Sequence, residues 1–408
     1  MYRSMIVVCV LACAHAAPPR GPAAEADERV EDLDWLLARI AHDDPYAVDL
    51  EVGAIRAHYL ARTRAAVTRD LWIGVLEDVL GELYDHHVSL GTNTQASPRL
   101  VPSSADLWGE VIDGRATLTE VRPGTAAERA GLRAGMTVTA IAGRPIAEAI
   151  AARRPAIRGR GDPEAASWAF RVLLAGTHDT PRRLTACAAR ACRDYPLDPP
   201  ELPDAAAAVT SRLDGDLGYL RIENQLGDSA TVAAFDAALA TLAPARGLIL
   251  DLRNTPSGGT TEVAEPILGR FVDAPGGYQR VVEPGRAPWV KQLAPRPPFD
   301  ARPLVVLVDH WTGSMGEGMA IGLDARHRAT VIGTRMAGLR GGIAGVTLPR
   351  THIPVRFQNE QLLHVDGTPR ERWAPPVLVE PAGGEPVDPI LARAVRALHG
   401  EQPEHHRD

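Results

Sequence analysis

Ser314 lies in the run Leu304 to Leu323, which reads L-V-V-L-V-D-H-W-T-G-S-M-G-E-G-M-A-I-G-L. Its neighbours limit what it can do. Leu304 to Val308 is an unbroken apolar run of strand length, the pattern of a strand buried on both faces of a parallel sheet. Thr312 and Gly313 supply a tight turn, and Met315, Met319 and Leu323 then recur at helical spacing. The pattern predicts that Ser314 stands where a buried strand turns into a helix. A serine there holds its hydroxyl at the sheet edge, where it can act as a nucleophile. The Met315 amide, at the helix start, has no intrahelical acceptor and is free to stabilise an oxyanion. The competing reading is that Ser314 only caps the helix, a position serine favours.

The elements that must position this serine come from three stretches. Leu33, Leu36, Leu37 and Ile40 recur at helical spacing between Val30 and Ile40. A second helix is expected over residues 70–83, with Leu71, Trp72, Val75, Leu76, Val79, Leu80 and Leu83 on one broad face. Together they form a helical cap over residues 30–95, which contains Tyr84-Asp85-His86-His87-Val88-Ser89. A middle unit spans 100–196, with strands at Thr117–Val121 and Val138–Ile141. The proline-rich and acidic stretch Asp194–Asp204 reads as a linker. A last unit spans 205–400, before a tail at 401–408. There Gly218–Ile222 and Gly247–Arg253 read as strands and Ser229–Leu242 as a helix. Asn254-Thr255-Pro256-Ser257-Gly258-Gly259 is followed by a further helix to Phe271, then the Leu304 strand. Such βαβ alternation makes a parallel sheet with crossover helices.

A chain of 408 residues with 45% apolar composition can fill two or three domain cores. A net charge of -7 gives no reason to expect nucleic acid or an anionic membrane as partner. Residues 1–17 carry Arg3, an apolar core from Met5 to Ala14, and small residues at Ala14 and Ala16. This is a signal-peptide pattern, too short for a membrane span, so the chain is expected to be exported to the periplasm or outside the cell. Val10-Leu11-Ala12-Cys13 weakly resembles a lipoprotein cleavage box, which would make Cys13 a lipid anchor. Residues 18–29 read as a flexible tether. Cys187 and Cys192 flank a turn between two short strands, where they could pair as a disulfide or remain free thiols. No spacing suggests a metal site, and no cofactor is expected.

Arg122-Pro123-Gly124-Thr125-Ala126-Ala127-Glu128-Arg129-Ala130-Gly131-Leu132, with its flanking strands and the Ala142-Gly143-Arg144-Pro145 turn, resembles a PDZ domain of the bacterial protease type. That resemblance implies a groove taking an extended peptide or C-terminus as an added strand, with a carboxylate-binding loop near Leu107-Trp108-Gly109. The alternative is a PDZ fold that only packs against its neighbour. Gly218–Ile222, Asp251-Leu252-Arg253-Asn254 with Gly258-Gly259, and Thr312-Gly313-Ser314-Met315-Gly316-Glu317 occur in the order found in the tail-specific (S41) protease family. The chain resembles that family, which holds the C-terminal processing proteases, the tricorn core protease and retinoid-binding repeats. The implied fold is multidomain α/β: a helical N-terminal cap, a PDZ domain and a ClpP- and crotonase-like βαβ catalytic domain.

The resemblance also implies site residues. The C-terminal processing type pairs its serine with a lysine in a Gly-Lys-Gly turn, but here that turn reads Met336-Ala337-Gly338-Leu339-Arg340-Gly341. Arg340 cannot serve, because a guanidinium stays protonated. The single lysine, Lys291, precedes Ser314 in a proline-flanked loop and reads as a solvated surface residue. The tricorn type instead takes a histidine from the cap and a distant glutamate. Glu82-Leu83-Tyr84-Asp85-His86-His87 matches that segment and puts His87 at the base position and His86 at an auxiliary one, although His86 could itself be the base. An imidazole titrating near neutrality suits proton transfer from serine. Glu371, 57 residues past Ser314, would orient the base or a water, but could be a plain surface glutamate. The usual segment after it is degraded to Ala374-Pro375-Pro376-Val377. Glu317 reads as structural. The oxyanion hole would pair the Met315 amide with that of Gly258 or Gly259.

The leading expectation is therefore an exported serine endopeptidase acting on unfolded proteins or protein C-termini. A peptide- or ligand-binding protein on the same scaffold, without catalysis, is the alternative. An ester hydrolase would need Gly where Thr312 stands and a late histidine, for which His364 and His399 are available.

Overall fold

The computed structural model describes residues 22–400, apart from 179, 201–206, 382–384 and 386. The expected signal peptide, Cys13 and the tail lie outside the described residues. Three helices open the described part: α1 (Pro22–Asp43), α2 (Val52–Ala65) and α3 (Arg69–Gly81). A two-residue strand, β1 (Ser89–Leu90), follows them. The middle unit holds β2 (Leu107–Ile112), β3 (Arg115–Val121), α4 (Ala126–Arg129), β4 (Thr137–Ile141), β5 (Arg144–Pro145), α5 (Ile146–Arg153), α6 (Pro163–Ala175), β6 (Arg182–Ala188) and β7 (Ala191–Leu197). The last unit holds β8 (Val209–Asp214), β9 (Leu217–Ile222), α7 (Ala230–Thr241), β10 (Gly247–Asp251), α8 (Thr261–Leu268), β11 (Gly276–Val282) and β12 (Trp289–Leu293). It continues with β13 (Leu304–Val308), α9 (Met315–Ala325), β14 (Thr330–Gly333), β15 (Gly342–Thr347), β16 (Pro354–Leu363), β17 (Val377–Leu378) and α10 (Pro389–Leu398).

The central sheet of the last unit has the order β17-β14-β13-β10-β9-β8. It is parallel throughout except for the edge strand β8, which pairs antiparallel with β9. Every residue of β10 and β13 is buried, because helices cover both faces. Each fully buried Val or Leu is worth about 1.5–3 kcal/mol, so the strands that carry the site are firmly anchored in this core. The crossover from β10 to β13 also contains the hairpin β11/β12, which leaves this sheet and joins another. Lys291 therefore sits on a strand rather than in a loop. Its ammonium is partly buried, 3.8 Å from the Glu360 carboxylate, not freely solvated.

The cap is not separate from the last unit. In the second sheet β1 pairs antiparallel with β16, placing Ser89 opposite Arg356 and Leu90 opposite Val355. One apolar core takes Leu33, Leu36, Leu76 and Leu80 from the helices together with Leu348, Val355 and Phe357 from the far end of the chain. Helix α1 begins at Pro22, so residues 22–29 are helical rather than a tether. Buried Arg29 fastens this start by donating to the Thr63 carbonyl at 3.4 Å.

The middle sheet runs β2-β3-β4-β6-β7, with β5 on β4. Cys187 and Cys192 face each other across the β6/β7 hairpin and are disulfide-bonded. Strand β7 runs to Leu197 and pairs Asp194 with Thr185, so the linker starts later than expected. Beside β2, where the PDZ resemblance implied a groove, another element of the same unit packs closely. Helix α6 lies along β2, and a Cβ built on Gly109 would meet the Phe170 ring at 2.4 Å. The Val111 amide on the β2 edge donates to Ser167 Oγ at 3.1 Å, and Trp108 is buried.

Candidate active site

The site is built where β10 and β13 end. Two loops leave their carboxyl ends side by side and are stitched together. The hydroxyls of Thr255 and Thr312 both donate to the Leu252 carbonyl, at 2.8 and 3.1 Å. The Gly313 amide donates to the Thr255 carbonyl at 3.2 Å. A Cβ on Gly316 would stand 2.1 Å from Thr255 Oγ1, so the first turn of α9 can press on this loop only through glycine. Ser314 follows directly after the turn with φ 50° and ψ −110°. That left-handed conformation is costly for a residue with a Cβ and is kept only where surroundings enforce it. Here the buried Glu317 carboxylate enforces it, accepting the Ser314 amide at 2.7 Å and the Gly338 amide at 2.9 Å. Burial pushes Glu317 up to about 7, opposed chiefly by the Arg370 guanidinium.

His87 meets this serine from the cap. Its Nε2 lies 3.0 Å from Ser314 Oγ, and its Nδ1 lies 2.9 Å from the Arg340 carbonyl oxygen. A carbonyl can only accept, so Nδ1 must carry the proton and Nε2 the lone pair. Burial, then the Arg370 guanidinium, pushes His87 down to about 4. The resting ring is thus neutral at neutral pH, as a base must be.

His86 points elsewhere. It accepts from Arg171 Nε at 3.0 Å and packs near the Trp108 and Trp168 rings, and burial with Arg171 holds it well below its usual range. Glu371 does not hydrogen-bond His87; its carboxylate accepts from Tyr46 Oη at 3.3 Å. Its neighbour Arg370, not singled out from sequence, is buried and donates to the carbonyls of Leu339 and Gly341, and to that of Ser314 at 3.4 Å. His364 lies beside Asp324 and Asp366, and His399 beside Asp216, so neither late histidine serves Ser314. Gly258, at φ 62°, abuts the serine: a Cβ there would be 2.4 Å from Ser314 Cβ and 2.9 Å from the Met315 nitrogen. The Gly258 amide is used in a turn to the Thr255 carbonyl at 3.0 Å. No group of three or more His, Cys, Asp or Glu fit to hold a metal occurs among the described residues.

Residues 216–373 match the model of peptidase family S41. That segment is a peptidase family S41 domain. It contains Ser314, the glycine pair and Glu371, whereas His87 comes from outside it. The catalytic unit is that of a serine-type peptidase. No curated protein sequence matches the chain. Among solved structures, the photosystem II D1 C-terminal processing protease aligns with a TM-score of 0.57 at 20% identity, over 86% of this chain and 93% of that one. Mature CPAF aligns with a TM-score of 0.60 at 15% identity, over 87% and 93%. At such identities the likeness is one of fold. It nevertheless extends well beyond the S41 segment.

Proposed function

We propose that the chain is an exported serine endopeptidase that cleaves unfolded polypeptides or protein C-termini with Ser314 as nucleophile and His87 as base. The observation that carries this reading is the Nε2–Oγ distance of 3.0 Å with Nδ1 committed to a carbonyl. Ser314 Oγ attacks the scissile carbonyl carbon as its proton passes to Nε2. The oxyanion is met by the amides of Met315 and Gly259. The tetrahedral adduct collapses to an acyl-enzyme as the same proton goes to the leaving amine, and water repeats the sequence to release the acid. Lys291, held near Glu360, takes no part. Glu371 acts at a distance, through Tyr46 and the charges around it, rather than on the imidazole. The Cys187–Cys192 disulfide and the apolar start of residues 1–17 support export. No described helix is long and apolar enough to cross a membrane.

The test is covalent labelling by a fluorophosphonate probe, alongside digestion of an unfolded protein. Wild type labels and digests, while Ser314→Ala and His87→Ala do neither. Labelling that survives Ser314→Ala, or a wild type inert across the pH range, would leave the binding-protein reading as the better one.

A further inference from the structure

The second nitrogen of His87 is served by a backbone carbonyl, and a carbonyl on a turn is only as well placed as that turn. The 338–341 turn is flanked by glycines in left-handed conformation, Gly338 at φ 68° and Gly341 at φ 50°. Glu317 holds its Gly338 amide and Arg370 its Leu339 and Gly341 carbonyls, and the group that ties Arg340 itself to His87 is Asp85. One oxygen of this buried carboxylate accepts the His87 backbone amide at 2.6 Å, and the other accepts the Arg340 backbone amide at 3.1 Å. The donor residue and the acceptor residue of the Nδ1–H···O=C contact are thus gripped by the same side chain. We propose that Asp85 is the positioning residue of the serine–histidine pair, holding the Arg340 backbone against His87 Nδ1 so that Nε2 keeps its lone pair toward Ser314. The inference rests on the Ser314–His87 reading above.

The bland role for Asp85 is a buried counter-ion to the Arg340 guanidinium. That ion pair is present, but it is the longer contact. Arg340 Nε is 3.5 Å from the carboxylate, farther than either amide. The guanidinium also has other contacts, donating to the Leu83 carbonyl at 3.3 Å and lying 5.0 Å from the centre of the Tyr84 ring. The two roles separate cleanly, because Arg340→Ala removes the guanidinium and keeps the backbone that Asp85 grips.

Asp85 faces charge from every side. Arg340 and Glu371 approach from the last unit, with Arg370 beyond His87, and Asp44 and Tyr46 approach from the connection between α1 and α2. Burial pushes Asp85 up to about 6, against the pull of Arg340 and the two amides. The ionised carboxylate accepts both amides; the protonated acid gives up part of that capacity. The grip therefore loosens as pH falls through about 6, before His87 itself gains a proton near 4.

The experiment measures fluorophosphonate labelling rates from pH 4 to 8 for wild type, Asp85→Asn, Arg340→Ala and Ser314→Ala. A low-field proton spectrum of the histidine Nδ1–H signals and a melting curve accompany each protein. Asp85→Asn is expected to melt close to wild type and to label at Ser314 about 10- to 100-fold more slowly at pH 7.5, the scale of a small misplacement of reacting groups. It loses the wild-type step near pH 6 and the His87 Nδ1–H resonance. Arg340→Ala slows labelling by less than Asp85→Asn and keeps the resonance. Labelling of Asp85→Asn within twofold of wild type overturns the proposal, and so does an Arg340→Ala loss equal to that of Asp85→Asn. Should Asp85→Asn fail to fold, the wild type decides: a step near pH 6 with a visible resonance supports the positioning role, and absence of both overturns it. A wild type that does not label, or a Ser314→Ala that does, sinks the Ser314–His87 reading instead and the proposal with it.

Discussion

Ser314 is held in a backbone conformation that costs of order 1–3 kcal/mol and is tolerated because its surroundings over-determine it. Gly258 is one of those surroundings. Adding a methyl there places an atom 2.4 Å from Ser314 Cβ and strains a φ of 62° at the same time. Gly258→Ala is therefore expected to abolish fluorophosphonate labelling and to lower the melting temperature; near-normal labelling would mean the 255–259 loop adapts freely. At the other end of the site, His87 and Glu371 are predicted to differ sharply. Removing a general base costs on the order of 10²–10⁴ in rate, so His87→Ala falls in that range. Glu371 touches Tyr46 rather than the imidazole, so Glu371→Gln loses less than about tenfold in kcat, since an exposed or indirect charge contributes on the order of 1 kcal/mol. Steady-state kinetics on an unfolded substrate would separate the two, and a Glu371→Gln loss as large as that of His87→Ala would put the glutamate back on the base.

At the scale of elements, the serine loop is wedged between the last unit and the middle unit. His310, four residues before Ser314 in the chain, stacks on Trp108 of β2 with ring centres 4.7 Å apart and lies 2.5 Å from the Glu120 carboxylate of β3. Thr334 donates to the same carboxylate at 3.2 Å, and Arg122 donates to Asn254 at the head of the glycine loop. Buried, shared partners of this kind couple. A double-mutant cycle of Glu120→Gln and His310→Ala is expected to give an interaction energy of about 1–3 kcal/mol in chemical unfolding; simple additivity would show that the units dock without this contact. None of this wedge was legible in the sequence, for a physical reason. The strand β13 and the turn into α9 were legible because burial on both faces writes an unbroken apolar run and the helix writes its own period. The Gly258-Gly259 pair was legible because glycine is required at both positions, by the closeness of Ser314 at Gly258 and of Leu226 at Gly259. Asp85 and Arg340 were not, because their contacts run through backbone atoms far apart in the chain. The hairpin β11/β12 and the edge strand β8 were missed because their exposed faces carry charge and proline around short apolar stretches. The packing of α6 along β2 was not legible because the local motif does not encode it.

At the scale of the molecule, the three stretches meet in one buried charged junction. Asp44, Tyr46 and Asp85 come from the cap, Arg158 from the connection after α5, and Arg340, Arg370 and Glu371 from the last unit. The weakest member is Asp44. One of its oxygens accepts the Tyr46 amide at 2.8 Å, while the other is buried without a partner. Burial, with Asp85 adding to it, pushes its carboxyl up to about 6, against the Tyr46 amide and the arginines. A folded pKa above the unfolded value means that the native state holds its proton longer than the unfolded chain does. The contribution is fully present below the unfolded value of 3.8 and is lost as pH rises through about 6. Asp44→Asn keeps an oxygen for the Tyr46 amide and never ionises. Its stability relative to wild type should therefore climb between pH 4 and pH 7 and level off beyond, with a gain of about 3 kcal/mol at the plateau. Urea unfolding at closely spaced pH values reads this directly. A difference curve that is flat across the range would mean that the junction opens to water before the rest of the molecule unfolds. A variant less stable than wild type at pH 8 would mean instead that the arginines need the Asp44 charge more than burial penalises it.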